Sequence, residues 1–259
     1  MKTLNAVITI AFRDVTKLIR DRIRLVASLI FPVIFIGVLG GGLNASFGSS
    51  LGFNYLTFVF TGVLAQTMFS STASGVIFLL QDRETDFSKE LFVAPVSRTV
   101  IVLGKIVGES LVSLSQGIGI VVFGLIIGVP FTLLQIFLLF LASVTGALLG
   151  GAFGMLILSQ LQDHRRATQV FPFVIFPQFF LAGVFNPVKD FPFYLAILSK
   201  ISPMTYAVDL LRSVYYRGAP EAGMVTLHTP ATNLLIIALM FTVLLSVGTF
   251  FFARNEKNR

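Results

Sequence analysis

Long runs of apolar residues, almost free of charge, recur along this chain of 259 residues. A helix needs about 20 such residues to cross a hydrocarbon layer about 30 Å thick. The fifth of these runs is short and contains Pro172 and Pro177, so a kinked or re-entrant segment is its alternative. The pattern predicts an all-α integral membrane protein in which residues 1–259 form one transmembrane domain. The six predicted spans are 26–43, 53–80, 106–129, 133–161, 170–185 and 231–253.

Residues 1–24, before the first span, are predicted to form an amphipathic helix. Apolar and basic residues recur there at helical spacing on two different faces. Such a helix lies in the headgroup layer with its basic face toward anionic lipid. A charged leader that only orients the first span is the alternative. The apolar face holds Leu4, Ile8, Ala11, Val15, Leu18 and Ile19, and the basic face holds Arg13, Lys17, Arg20 and Arg24.

The distribution of Lys and Arg orients the spans, because cytoplasmic loops carry an excess of these residues. An even number of spans places both termini on one side of the membrane. We predict that both termini are cytoplasmic, with loop 82–98 inside and segment 186–230 outside. In this orientation the basic residues that fall outside, from a total of 19, are Lys189, Lys200, Arg212 and Arg217.

Prolines divide the external segment, and Ser202–Pro203 begins a predicted helix that runs through Tyr206 to Tyr216. Asp209 and Arg212 are three positions apart on this helix, so we expect them to pair on its surface. Aromatic residues along the segment suit the membrane interface. The segment is therefore predicted to be half-embedded rather than a free external domain.

The composition agrees with a membrane protein and excludes several chemistries. Hydrophobic residues make up 55% of the chain and charged residues 12%, against roughly 25% charged residues in soluble domains. The net charge of +7 would suggest nucleic-acid binding in a soluble protein, but here it follows from topology, and no nucleic-acid partner is expected. The chain has no Cys, which excludes disulfides, thiolate catalysis and Cys-based metal sites.

The sequence predicts no catalytic residue and no metal ligand. His164 and His228 are the only histidines, and both fall in predicted loops, away from any nucleophile at membrane depth. The string nearest to a phosphate-binding loop, Thr99–Ile106, has Thr99 in place of the first Gly and Ile106 in place of the hydroxyl residue. ATP binding by this chain is therefore not expected.

Few ionisable side chains lie within or next to the predicted spans. Lys105 and Glu109 are four positions apart near the cytoplasmic end of the third span, where they form either an interfacial anchor pair or an inner-gate pair of a conduit. The Phe-rich fifth span either faces lipid or lines a substrate surface. Gln66 and Gln178 either bond between helices or line a path. The candidates for a path or dimer interface are Gln66, Phe171, Phe176, Gln178 and Phe180.

Pairs of glycines four positions apart also recur in the spans. Such pairs permit close approach between membrane helices, and we expect them to serve packing. They are Gly37/Gly41, Gly124/Gly128, Gly146/Gly150 and Gly150/Gly154.

The cytoplasmic loop 82–98 reads DRETDFSKELFVAPVSR. It is dense in charge and amphipathic around Phe87, and its helical pattern ends before Pro95. With the string FFLAGVFNP at 179–187 and the string SPMTY at 202–206, it resembles the membrane permeases of type-2 ABC exporters, in particular the daunorubicin-type and lipo-oligosaccharide-exporting branch. The chain departs from this family at Asp86, where Gly is usual, and at Ser202, where Asn is usual.

The resemblance implies a coupling role for loop 82–98 and an export function. The loop would contact a separate ABC ATPase, two copies of which would hold ATP and Mg²⁺ and serve a homodimer of this chain. The segment before the last span would form short re-entrant helices. The coupling residues are Arg83, Glu84, Asp86, Phe87, Glu90, Leu91, Phe92 and Pro95, and those of the external helix are Pro203, Tyr206, Asp209 and Arg212.

The substrate implied by the resemblance is amphipathic or lipid-linked: a drug, a lipid, a glycolipid or an oligosaccharide. It would move outward across the cytoplasmic membrane of a prokaryote. An ion-coupled secondary transporter and a non-transporting membrane sensor or scaffold are the alternatives. Proton coupling requires buried carboxylates, and Glu109 is the one acid in the predicted spans.

Overall fold

The computed structural model describes residues 2–47, 51–80, 98–161 and 164–257, and every regular element in these ranges is helical. The predicted coupling residues between 83 and 95 therefore lie outside the described residues. The helices are α1 (Lys2–Arg20), α2 (Arg22–Ile34), α3 (Gly42–Phe47), α4 (Tyr55–Ile77), α5 (Arg98–Ile126), α6 (Leu133–Gln160), α7 (His164–Leu181), α8 (Phe193–Ile201), α9 (Pro203–Tyr215), α10 (Ala222–Val225) and α11 (Pro230–Lys257).

Among the residues that the structure describes, five helical stretches are long and apolar enough to cross a membrane, against six predicted spans. The fifth predicted span, 170–185, overlaps the C-terminal part of α7, which is 18 residues long and contains Pro172 and Pro177. Because α7 opens with polar residues and ends at Leu181, its apolar part is short. The five stretches are Leu25–Ser46, Tyr55–Ile77, Thr99–Ile126, Leu133–Gln160 and Ala222–Arg254.

Helix α4 forms the centre of the bundle. Of the residues in its most apolar part, 83% are buried, whereas the corresponding share for Leu25–Ser46 is 17%. Helix α6 approaches α4 at two glycines: a Cβ on Gly150 would lie 2.2 Å from the carbonyl oxygen of Phe69, and one on Gly154 would lie 2.4 Å from that of Ala73. These contacts confirm a packing role for the Gly150/Gly154 pair.

The first membrane-spanning stretch is irregular. Helix α2 contains Pro32, and a π-helical segment, Phe35–Gly41, joins it to α3. Proline removes one backbone donor and crowds the preceding turn, and π-helical turns occur where the regular ladder is interrupted. The Gly37/Gly41 pair in this segment makes no tight contact, since a Cβ on Gly41 would meet nothing within 4 Å.

Helix α1 lies along α5 and has three faces rather than the two predicted. Ala11 and Leu18, predicted to share the apolar face with Leu4 and Ile8, are instead buried against the protein, while Leu4 and Ile8 are exposed. The close contact with α5 is made over two small residues: a Cβ on Gly104 or Gly108 would lie 3.0 Å from an atom of α1. The exposed apolar residues of α1 are Leu4, Ile8, Phe12 and Ile19.

Segment 186–230 is built from a 3-10 turn at Val188–Asp190 followed by α8, α9 and α10. Helix α9 begins at Pro203, as predicted, because proline suits the first helical turn, where no intrahelical N–H partner is needed. Helix α9 packs against α4 and α6, and nearly all of its residues are buried. It is therefore part of the core rather than a surface helix.

Candidate functional site

Three charged side chains meet where α1 crosses α5. The Lys105 Nζ lies 2.8 Å from Glu109 Oε1 and 3.1 Å from Asp14 Oδ2. All three residues are buried, with Lys105 only 3% exposed. The predicted pairing of Lys105 with Glu109 is thus present, but the ammonium group contacts buried carboxylates rather than extending to the membrane surface.

Glycine on α4 makes room for this cluster. A Cβ on Gly75 would lie 2.0 Å from Glu109 Oε2, so the carboxylate is seated directly against the backbone of α4. Residues from α1, α4 and α5 therefore meet at one buried group of charges. These contacts link the three helices.

Sequence reasoning missed Asp14. It is the one acidic residue within α1, and a lone acid among basic and apolar positions was the available signal. Its Oδ2 is close enough to Lys105 for an ion pair, but neither of its carboxylate oxygens accepts a hydrogen bond from the described residues. Asp14 is therefore held by its attraction to the Lys105 ammonium group, so its contribution to stability depends strongly on Lys105.

Asp209 links segment 186–230 to the start of the last helix. Its carboxylate accepts from the backbone N–H groups of Leu227 at 2.6 Å and His228 at 2.8 Å, and from Asn233 Nδ2 at 2.8 Å. Charge-assisted hydrogen bonds of this kind are the strong ones. One buried side chain on α9 thereby fixes the start of α11.

Arg212, three positions further on, binds a different set of partners. Its Nη2 donates to the carbonyl oxygens of Val184 at 3.1 Å and Phe58 at 3.3 Å, and its guanidinium lies 3.6 Å from the centre of the Phe58 ring. Gly62 lets it enter, because a Cβ there would lie 2.8 Å from Nη2. The guanidinium therefore joins α9, α4 and the end of α7.

The predicted surface pair between Asp209 and Arg212 is wrong. Asp209 is 3% exposed and Arg212 is 2% exposed, and each is bound to other groups. Burial lowers the pKa of Arg212 to about 10, so the guanidinium still carries its charge near neutral pH. The side chains face different neighbours because α9 is enclosed on several sides.

Gln66 and Gln178 are both buried and bound within the protein. Gln66 Nε2 donates to Ser70 Oγ at 3.2 Å, along the same helix. Gln178 Oε1 accepts from Ser202 Oγ at 3.3 Å, which joins α7 to the start of α9. The contact of Gln178 therefore agrees with a bond between elements.

The phenylalanines of α7 form an exposed aromatic surface. Phe176 and Phe180 have ring centres 5.4 Å apart and are 56% and 54% exposed, whereas Phe171 is partly buried against the core. Phe180 also lies 6.0 Å from Phe185, whose ring is 5.4 Å from that of Phe35 on the first spanning stretch. We call Phe35, Phe176, Phe180 and Phe185 the aromatic face.

Within the described ranges, no group of three His, Cys, Asp or Glu side chains is arranged to hold a metal ion. Lys105, Asp209 and Arg212 are instead bound to other groups of the protein. The candidate site therefore consists of buried polar contacts that link helices, together with exposed apolar surfaces.

Comparison with known proteins gives a consistent assignment. A family model described as ABC-2 type transporter matches residues 5–216, from α1 to the end of α9. The putative transport permease ycf38 of Cyanophora paradoxa is 30% identical over 205 residues, covering 76% of this chain and 69% of that protein. Nodulation protein J of Rhizobium leguminosarum bv. viciae is 24% identical, covering 85% and 86%. The probable multidrug ABC transporter permease YbhR of Escherichia coli (strain K12) is 28% identical, covering 54% and 38%.

Proposed function

The chain belongs to the ABC-2 type transporter family, and we propose that it forms the membrane-spanning subunit of an ATP-driven exporter. Family membership makes it a multi-pass membrane subunit that works with an ABC ATPase. In our proposal two copies of the chain assemble with two ATPase subunits, which hold ATP and Mg²⁺. The assembly carries an amphipathic or lipid-linked substrate out across the cytoplasmic membrane of a prokaryote.

The proposal is supported by the buried ion pairs among Asp14, Lys105 and Glu109, which we call the buried joint. Helix α5 begins at Arg98, the last residue of the proposed coupling loop 82–98, and Lys105 lies two turns further on. A force applied to the loop by an ATPase would therefore be passed into α5. Because the joint ties α5 to α1 and seats Glu109 against α4, three helices respond together.

The same joint opposes the alternative of ion coupling. A proton-coupled transporter requires a carboxylate that exchanges protons with a path. Glu109 is paired with Lys105 at 2.8 Å and is seated against the backbone of α4. The observed pairing therefore favours a mechanical role over proton exchange.

The exposed residues of α1 support its proposed place in the headgroup layer. Leu4, Ile8, Phe12 and Ile19 are exposed and share a face next to the one that packs on α5. An interfacial helix buries such an apolar face in lipid and keeps its basic face in water. Helix α1 would then lie on the cytoplasmic surface with the coupling loop.

The aromatic face supports a homodimer. Phe176 and Phe180 are exposed on one side of α7, and their rings lie 5.4 Å apart. In the proposed dimer this face meets its counterpart and borders the path. Its apolar character suits an amphipathic substrate.

Charge reversal in the coupling loop tests the proposal. We expect Glu84→Lys and Glu90→Lys to weaken co-purification with the ABC ATPase and to abolish substrate-stimulated ATP hydrolysis, because each change places a cation where an acid meets the ATPase. The measurements are the yield of ATPase retained on the tagged permease and the hydrolysis rate in lipid.

Glu221→Lys is the matched control, since Glu221 lies in the external segment and its reversal should leave both readings unchanged. Full co-purification and hydrolysis in both loop variants would reject the assignment of 82–98 as the coupling element. Membrane insertion, followed by the amount of full-length protein in the membrane fraction, should be equal in all variants.

A further inference from the structure

A cavity of about 490 Å³ lies between the residues that lead into α4 and the segment that follows α7. In the proposed topology it faces the outside. Ligand pockets have volumes of roughly 300–1,000 Å³ and combine an apolar lining with a few polar groups. The size of this cavity is therefore appropriate for a small organic molecule.

The lining combines aromatic rings with one negative charge. Phe53, Tyr55 and Phe191 contribute rings, and Asn186 and Asp190 contribute polar side chains. The Tyr55 hydroxyl donates to the carbonyl oxygen of Phe185 at 2.9 Å, and its ring is buried beside Phe58, so Tyr55 is fixed in the wall of the cavity. The ring of Phe191 is less buried. Aromatic faces attract cations by their quadrupole, and a neighbouring carboxylate adds to this attraction.

Asp190 is the only ionised group among the described lining residues. Its side chain is exposed. No described residue donates a hydrogen bond to it or forms an ion pair with it. The adjacent cation, Lys189, is directed to the carbonyl oxygen of Gly223. Arg212 lies against Phe58 and does not line the cavity. The negative charge of Asp190 is therefore available to a ligand.

We propose that this cavity is an exit-side binding site for an amphipathic organic cation. The aromatic rings hold the apolar body of the cation, and Asp190 holds its charge. An anionic amphiphile is disfavoured, because the described lining offers it a carboxylate and no Lys or Arg. The inference rests on the proposed function, since it names the class of substrate that leaves through this site.

The chain contains no Trp, so a single introduced Trp reports on the cavity. We would place Phe191→Trp in the full-length protein, reconstitute it in nanodiscs of phosphatidylcholine, and titrate tetraphenylphosphonium against its fluorescence. Saturable quenching is expected. Tetraphenylborate, which has the same shape and the opposite charge, should give no saturable component.

Two control variants separate binding in the cavity from partitioning into lipid. Phe250→Trp places the reporter on α11, where the side chain is 63% exposed, and should show only the linear effect of partitioning. Asp190→Asn in the Phe191→Trp protein should raise the dissociation constant about tenfold, the effect of losing one close charge contact. Glu221→Gln, which also removes an external acid, should leave it unchanged.

Equal quenching at both reporters, equal binding of the borate, or an unchanged dissociation constant in Asp190→Asn would each overturn the site. Hydrolysis by the complex with its ATPase separates this result from the exporter proposal. Stimulation of hydrolysis by tetraphenylphosphonium without cavity binding would leave the exporter standing and reject the site. Cavity binding without stimulation would confirm the site and reject its role as an exit for substrate.

Discussion

Buried charges in this bundle are stabilised in two different ways. Lys105 is paired with carboxylates, so its charge is compensated by opposite charge. Arg212 instead binds two carbonyl oxygens and the face of Phe58. A planar guanidinium suits this second arrangement, because it donates in its plane and stacks through its face. An ammonium group is unable to do both.

Arg212→Lys should therefore destabilise the protein although it keeps the charge. We expect a loss of about 1–3 kcal/mol, because at least one buried carbonyl loses its donor and the stacking contact is removed. The measurement is the midpoint of thermal unfolding in detergent. Arg217→Lys is the control, since Arg217 is exposed in the same segment. Equal midpoints for the two variants would show that hydrogen bonding and stacking by Arg212 contribute nothing to stability.

At the scale of elements, α7 has a double character. One side joins the core, where Gln178 accepts from Ser202 at 3.3 Å, while the opposite side presents the exposed Phe176 and Phe180. Its two prolines interrupt the helical hydrogen bonds. Such a helix bends more easily than a regular one.

The chain has no Cys, so cysteines introduced on α7 test the dimer directly. We expect Phe176→Cys and Phe180→Cys to form a disulfide-linked dimer under mild oxidation, because the two copies of this face meet in the proposed assembly. The reading is the dimer band on a non-reducing gel of membranes. Leu235→Cys on α11, where the side chain is 69% exposed, should stay monomeric. Crosslinking of equal extent at Leu235→Cys would contradict an interface centred on α7.

At the scale of the whole molecule, α7 determines the topology. If α7 crosses the membrane, the spans are even in number and both termini lie on one side. If α7 does not cross, the five stretches found by length and composition would place the termini on opposite sides. The basic residues after the last span favour the first case, because cytoplasmic ends carry Lys and Arg.

Single cysteines read by a membrane-impermeant maleimide distinguish these cases. In intact cells we expect Lys189→Cys to be labelled and Arg165→Cys and Arg254→Cys to be protected. After the cells are opened, all three should react, since Lys189, Arg165 and Arg254 are exposed. Labelling of Arg165→Cys and Lys189→Cys from the same side would show that α7 does not span the membrane.

Local pattern was enough to predict several parts of the fold. The length of the apolar runs predicted the positions of α4, α6 and α11, since a membrane helix is recognised by local composition. The start of α9 followed from Pro203. The Lys105/Glu109 pair followed from helical spacing, because residues four apart share a face.

Other features depend on contacts between residues distant in the sequence. Asp14 and Lys105 meet at 3.1 Å, and Arg212 reaches Phe58, through packing that no local spacing predicts. For the same reason the sequence placed Asp209 and Arg212 together on a surface, whereas the enclosure of α9 directs each to other partners. The division of the apolar side of α1 into a packed face and an exposed face also depends on where α5 lies.

The sequence by itself determined that this protein is a helical membrane protein and where its principal helices run, because burial in lipid imposes a length and a composition on each segment separately. Only the tertiary structure decided which charged residues link helices and which glycines lie at close contacts between helices. Gly150 and Gly41 look alike in sequence, yet one touches the backbone of α4 and the other touches nothing within 4 Å. That difference arises because close packing is a property of two surfaces, and a sequence pattern describes only one of them.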